Sequence, residues 1–148
     1  MDVKSLDKAA VVGTLNKILE LELAGVVRYT HYSLMVYGFN RIPIVSWLRD
    51  QATEALTHAQ KAGEWVTTLG EHPSLAVGPL LETSKHNIAQ ILHESLDNER
   101  EGLALYHKLL DQTRDKNVAL EEYARDMISA EEQHLAEVEK MLRSPDKA

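Results

Sequence analysis

Residues 70–82, GEHPSLAVGPLLE, hold two of the chain's four prolines and two of its seven glycines. Breakers at that density end a helix, so the segment is predicted to be a connection. Before it, Ile44, Leu48, Gln51, Ala55, His58, Ala62, Trp65 and Leu69 recur at steps of three and four and predict a helix over about 43–69. After it, Ile88, Leu92, Ser95, Glu99, Gly102, Tyr106 and Leu109 do the same over about 84–112. A helix of about 27 residues is roughly 40 Å long, and about 13 extended residues reach roughly 43 Å. The connection can therefore run the length of a helix and set the two flanking helices parallel. That arrangement is a four-helix bundle with one long crossover, not an up-down-up-down bundle.

The rest of the chain supplies the other two helices. One is predicted over about 5–37, from Ser5 as cap to a stop at Gly38, with Leu15, Ile18, Leu19, Glu22, Val26 and Tyr29 facing inward. The last is predicted over about 117–143, with Leu120, Ala124, Met127, Glu131, His134, Val138 and Met141 inward. Connections of about five residues, GFNRIP at 38–43 and the stretch after Gln112, impose antiparallel hairpins. The predicted class is all-α, a single domain over 1–148. The tail RSPDKA leaves room for little or no fifth helix.

Composition narrows the function. Of 148 residues, 44% are hydrophobic, enough for a core, and a formal charge of -7 argues against nucleic acid and anionic membrane as partners. The opening MDVKSLDKAAVV lacks a basic segment followed by an apolar one, and no apolar run approaches the roughly 18 residues of a membrane span. A soluble cytoplasmic protein is expected. With no cysteine, any metal must be held by histidine and carboxylate.

Each predicted helix carries ionisable residues in the middle of its apolar stripe: Glu22, then His58, then Glu99, then Glu131 with His134. A lone carboxylate among leucines costs several kcal/mol, so a core containing one after another requires a compensating partner, and a metal supplies it. Glu131 and His134, three residues apart, lie about 60° apart on one helix face. Glu54 and His58, four apart, are separated by about 40°. Both pairs have chelating geometry. Glu22, Glu54, Glu99 and Glu131 as carboxylates, with neutral imidazoles, balance two divalent cations.

The segments LELAGVVRY (21–29), EALTHA (54–59), SLDNERE (95–101) and AEEQHL (130–135) resemble bacterioferritins and bacterioferritin-like members of the ferritin superfamily. The resemblance implies a ferritin-like bundle that oxidises Fe(II) at a di-iron centre with O2 or H2O2, and stores iron. It also implies that Glu22 and His58 are terminal ligands of one iron, Glu99 and His134 of the other, with Glu131 bridging and Tyr29 beside the site. The sequence departs from the family pattern at three places. The helix B motif is Glu-x-x-His in the family, but Ala55 stands three before His58, and Glu54, one place earlier, is the candidate for the second bridging ligand. Leu56 occupies the position of the haem-ligating methionine, so no haem is expected. The short tail withholds the element that closed 24-subunit shells place at a symmetry axis, while a homo-oligomer, as a dimer or such a shell, is still expected.

Other readings compete: a di-iron oxidoreductase or peroxidase without storage, a DNA-protecting mini-ferritin, for which the N-terminus offers only Lys4 and Lys8, and a metal-free structural bundle. His31, His72, His86, His93 and His107 are read as structural, lacking a carboxylate at chelating spacing on an apolar stripe. Glu20, Glu101, Glu132 and Glu137 are read as solvated helix charge. Leu56, Trp47 and Met35 are read as packing or dimer-interface residues.

Overall fold

The computed structural model describes residues 5–145. Lys4 and the last three residues of the tail lie outside them. Four helices account for most of the chain: α1 (Lys8–Met35), α2 (Arg41–Thr68), α3 (Ile88–Thr113) and α4 (Val118–Leu142). Among the described residues there is no strand, no helix follows α4, and no helix is long and apolar enough to cross a membrane. The chain divides into two compact units, Lys8–Asn87 and a second that holds α3 and α4.

In the first unit α1 and α2 are antiparallel, as their cross-contacts show: Tyr29 stacks edge-on with Trp47, Glu22 meets His58, and Lys8 pairs with Glu71. Gly38 and Gly70, at φ +100 and +79, turn the chain past the ends of α1 and α2 in a region that L side chains avoid. After α2 the Glu71 amide bonds back to the Val66 carbonyl and the Gly70 amide to that of Thr67, which satisfies the last turn. At the other end the Arg41 guanidinium caps α1 by donating to the carbonyl of Val36 at 2.6 Å. The core is Val11, Leu15, Ile18, Leu48, Ala62 and Val66, all fully or almost fully buried.

The crossover then climbs along α1. Lys8 holds Glu71, the Asn16 side chain accepts from the Ser74 amide at 2.9 Å, the Glu20 carbonyl accepts from the Gly78 amide at 2.8 Å, and His31 meets Glu82 at 2.6 Å. From Lys8 to His31 the helix rises about 35 Å. From Glu71 to Glu82 an extended chain spans at most about 40 Å. The connection is thus nearly straight and runs lengthwise, as the proline-rich segment predicts.

Helix α3 starts at Ile88 and not near Ser84, because Ser84 takes a left-handed φ of 56 that no helical turn accommodates. The crossover lengthens to residues 69–87. The Ser84 amide donates to Glu82 Oε1 at 2.6 Å. That bond, with smaller help from His31 and His86 and against some desolvation, holds the Glu82 carboxyl below the ordinary carboxylate range. Its anchoring is complete above that range and is lost as pH falls through the lowered value. Helix α1 likewise begins at Lys8, later than Ser5.

In the second unit α3 and α4 are also antiparallel: Tyr106 stacks edge-on with Tyr123, and Arg100 reaches Glu139. Asn117 caps α4, its side chain accepting from the Leu120 amide. Leu92, Tyr106, Leu109, Leu120, Ala124, Met127 and Val138 form the buried face. Met141, predicted to face inward, is exposed in the last turn, where the apolar stripe runs past the end of the packed face.

A side chain at Gly78 would place Cβ 3.0 Å from the Glu20 carbonyl oxygen, whereas Cβ at Gly13 meets nothing within 4 Å. Gly78→Ala is therefore expected to lower stability by about 1–3 kcal/mol through a backbone clash. Gly13→Ala, inside an exposed helix, should raise it by about 0.5–1 kcal/mol. Urea denaturation of the two variants checks both signs.

Candidate metal centre

Helix α2 buries a row of small residues, Ala52, Ala55, Ala59 and Ala62. A Cβ built on Gly25 would touch that of Ala55 at 3.4 Å, so the two backbones approach closely here. One turn away on each helix the seam contains two polar side chains. Glu22 Oε2 lies 3.2 Å from His58 Nδ1, with the two side chains only 9% and 11% exposed. A desolvated carboxylate is tolerated because the imidazole meets it. Glu54, one turn before His58 on the same helix, brings Oε1 to 3.6 Å from Nε2, the opposite edge of the ring, and is half exposed. The two carboxylates thus address the two nitrogens of one histidine. Tyr29, two turns beyond Glu22, is buried and edge-on to both Trp47 and Tyr32.

The second unit repeats the motif with different spacing. Glu131 is buried on α4, His134 follows one turn later, and Glu99 on α3 places Oε1 4.0 Å from His134 Nε2. Leu96, Met127 and Leu135 are buried on the same two helices. Ser95, also buried, keeps its hydroxyl on the Ile91 carbonyl of its own helix.

The metal-ligating residues predicted from the sequence therefore gather as Glu22, Glu54 and His58 on α1 and α2, and as Glu99 with His134 on α3 and α4, with Glu131 buried one turn before His134. Oxygen and imidazole nitrogen donors of this kind suit divalent first-row ions, and with no thiolate in the chain softer ions are disfavoured. Glu54 differs from the other five in its exposure.

A third cluster was not anticipated. His31 and His86, read from the sequence as structural and without a carboxylate partner, both contact Glu82. Glu82 stands four before His86, a visible spacing, but both lie in the crossover, and only the fold brings α1 beside them.

A family model described as Ferritin-like domain matches residues 12–148. No curated protein matches the sequence. Among solved structures, a ferritin-like diiron-carboxylate protein from Bacillus anthracis is 23% identical with a TM-score of 0.86, over 93% of this chain and 98% of that one. The dodecameric thioferritin of Bacteroides fragilis, a bacterioferritin-related protein, is 21% identical with a TM-score of 0.85, over 93% and 87% of the two chains. The bacterioferritin of Rhodobacter capsulatus, solved with a metal-free dinuclear site and haem iron, is 22% identical with a TM-score of 0.83, over 90% and 84%. The shared architecture is the four-helix bundle with a long crossover that the sequence predicts.

The two contacts of His58 should differ in energy. In double-mutant cycles on the metal-free protein, Glu22 and His58 are expected to couple by about 1–3 kcal/mol, and Glu54 with His58 by less than about 1 kcal/mol, because Glu54 remains in water. Chemical denaturation of Glu22→Gln, Glu54→Gln and His58→Ala, singly and paired, measures both.

Proposed function

The chain belongs to the ferritin-like family, and on that premise we propose that it binds Fe(II), oxidises it at a dinuclear centre within the bundle, and so stores or detoxifies iron. The observation that carries this reading is the repetition, in each helix hairpin, of a carboxylate largely withdrawn from solvent and set against an imidazole of the facing helix, Glu22 with His58 and Glu99 with His134. The donor set fits the ion: carboxylates and neutral imidazoles hold Fe(II) and tolerate Fe(III). Glu22 and His58 would hold one iron, Glu99 and His134 the other, and Glu131 both. Iron as substrate gives its electrons to O2 or H2O2, and the protein supplies position, charge and a largely dry pocket.

Glu54 takes one of two roles. As a ligand it completes four negative charges against two divalent ions. The ring geometry favours the second role: with Glu22 at Nδ1, Glu54 at Nε2 holds the imidazole in orientation from its far edge. We further propose that the four helices act as one domain, that the protein is a cytoplasmic homo-oligomer, as a dimer or a 24-subunit shell, and that it carries no haem, since Leu56 has no thioether to offer.

Fe(II) titration with oxidation followed by absorbance should saturate near two Fe(II) per chain. Glu131→Ala should abolish the fast phase. If Glu54 orients His58, Glu54→Ala slows oxidation by about 10–100-fold and Glu54→Gln restores much of it. A Glu54→Ala variant as inactive as Glu131→Ala, not rescued by Gln, assigns Glu54 as a ligand. No tight iron and no oxidation in the unmodified chain would refute the proposal. Reconstitution with haem should yield no Soret band.

A further inference from the structure

Near the C-terminal end of α1, two imidazoles and a carboxylate from separate parts of the chain converge. His31 Nε2 lies 2.6 Å from Glu82 Oε2, and His86 Nε2 3.1 Å from Glu82 Oε1. The two rings are 5.4 Å apart and inclined at 71°. One donor atom from each of the three residues falls within 4.8 Å of the other two. We propose that His31, Glu82 and His86 form a mononuclear site for a divalent transition ion of the Zn(II) or Fe(II) class, separate from the dinuclear centre.

Three features support it. The donor set is two imidazoles and one carboxylate, a set that binds such ions with a position left for water. With metal–donor bonds of about 2.0–2.2 Å, tetrahedral donors sit roughly 3.4 Å apart; the two contacts to Glu82, at 2.6 and 3.1 Å, would open slightly to admit an ion, and no donor separation exceeds 4.8 Å. The side chains have freedom to do so, since His31 is 43% and Glu82 50% exposed, while His86 at 18% anchors the inner edge. Secondly, the backbone prepares the carboxylate: the left-handed turn at Ser84 sends its amide to Glu82 Oε1 and aims Glu82 and His86 at the same point. An outer hydrogen bond of this kind orients a ligand before the metal arrives. Thirdly, His31 is nine residues beyond Glu22 on α1, about 14 Å along its axis, too far for one ion to serve both. An ion at this point would fasten the end of the crossover to α1, closing the long loop between them.

The test is calorimetric titration of the full chain with Zn(II). His31→Ala and His86→Ala are each expected to remove one ion per chain, or to weaken it by at least about 10–100-fold, the cost already attached to a group that merely orients a ligand. His72→Ala, whose ring bonds to the neighbouring Pro73 carbonyl, should leave the titration unchanged. Zn(II) should also slow tryptic cleavage after Lys85 in the unmodified chain and fail to do so in either variant. Unchanged Zn(II) stoichiometry and affinity in both histidine variants would overturn the proposal. Fe(II) oxidation is read separately on the same proteins. An unmodified chain that oxidises no iron yet loses a Zn(II) with His31 would refute the ferroxidase reading and uphold this site.

Discussion

A carboxylate enclosed between helices must be met by positive charge or a hydrogen-bond donor, and both hairpins of this chain are arranged around that requirement. In the first, the meeting group is His58, which reaches Glu22 one turn from the point where α1 and α2 come close at Gly25 and Ala55. In the second, Glu131 and His134 share a face of α4 that Glu99 approaches from α3. Apolar side chains above and below each cluster provide the burial that makes the polar groups costly alone and effective together. The same desolvation that penalises an empty site strengthens the attraction for a cation.

The crossover is the second organising element. It has no regular structure, yet α1 holds it at four points along its length, by a lysine, an asparagine, a backbone carbonyl and a histidine in turn. Such spacing leaves little slack, because the extended chain is scarcely longer than the rise it follows. The chain consequently leaves the first unit at the end of α1 opposite to the one where α2 finished, which is what a one-crossover bundle requires.

Much of this was legible in the sequence for physical reasons. Helix periodicity, the prolines and glycines of residues 70–82, and polar residues recurring within apolar stripes are local signals, and they indicate four helices, the crossover and ionisable side chains within the helix faces. Where the reading missed, long-range placement was the cause. Ser84 looks like a cap, but the bond from its amide to Glu82 draws it into a left-handed turn and delays α3 to Ile88. His31 meets Glu82 across 51 residues of sequence, a contact that no local spacing displays. Met141 keeps the periodicity of α4 but lies past the packed face. Periodicity placed Glu54 only 40° from His58, and it could not reveal which edge of the imidazole each carboxylate would address.

The tight seam at Gly25 and Ala55 has a bearing on how this sequence could change over generations. A Glu-x-x-His unit ending at His58 would need its glutamate at 55, yet Ala55 is buried there and lies 3.4 Å from where a Cβ on Gly25 would stand. A longer residue at 55 competes for space with any side chain placed at 25. Substitutions at 25 and 55 should therefore be epistatic. Glu54, half exposed and 3.6 Å from His58, keeps a carboxylate in the neighbourhood without entering that packing.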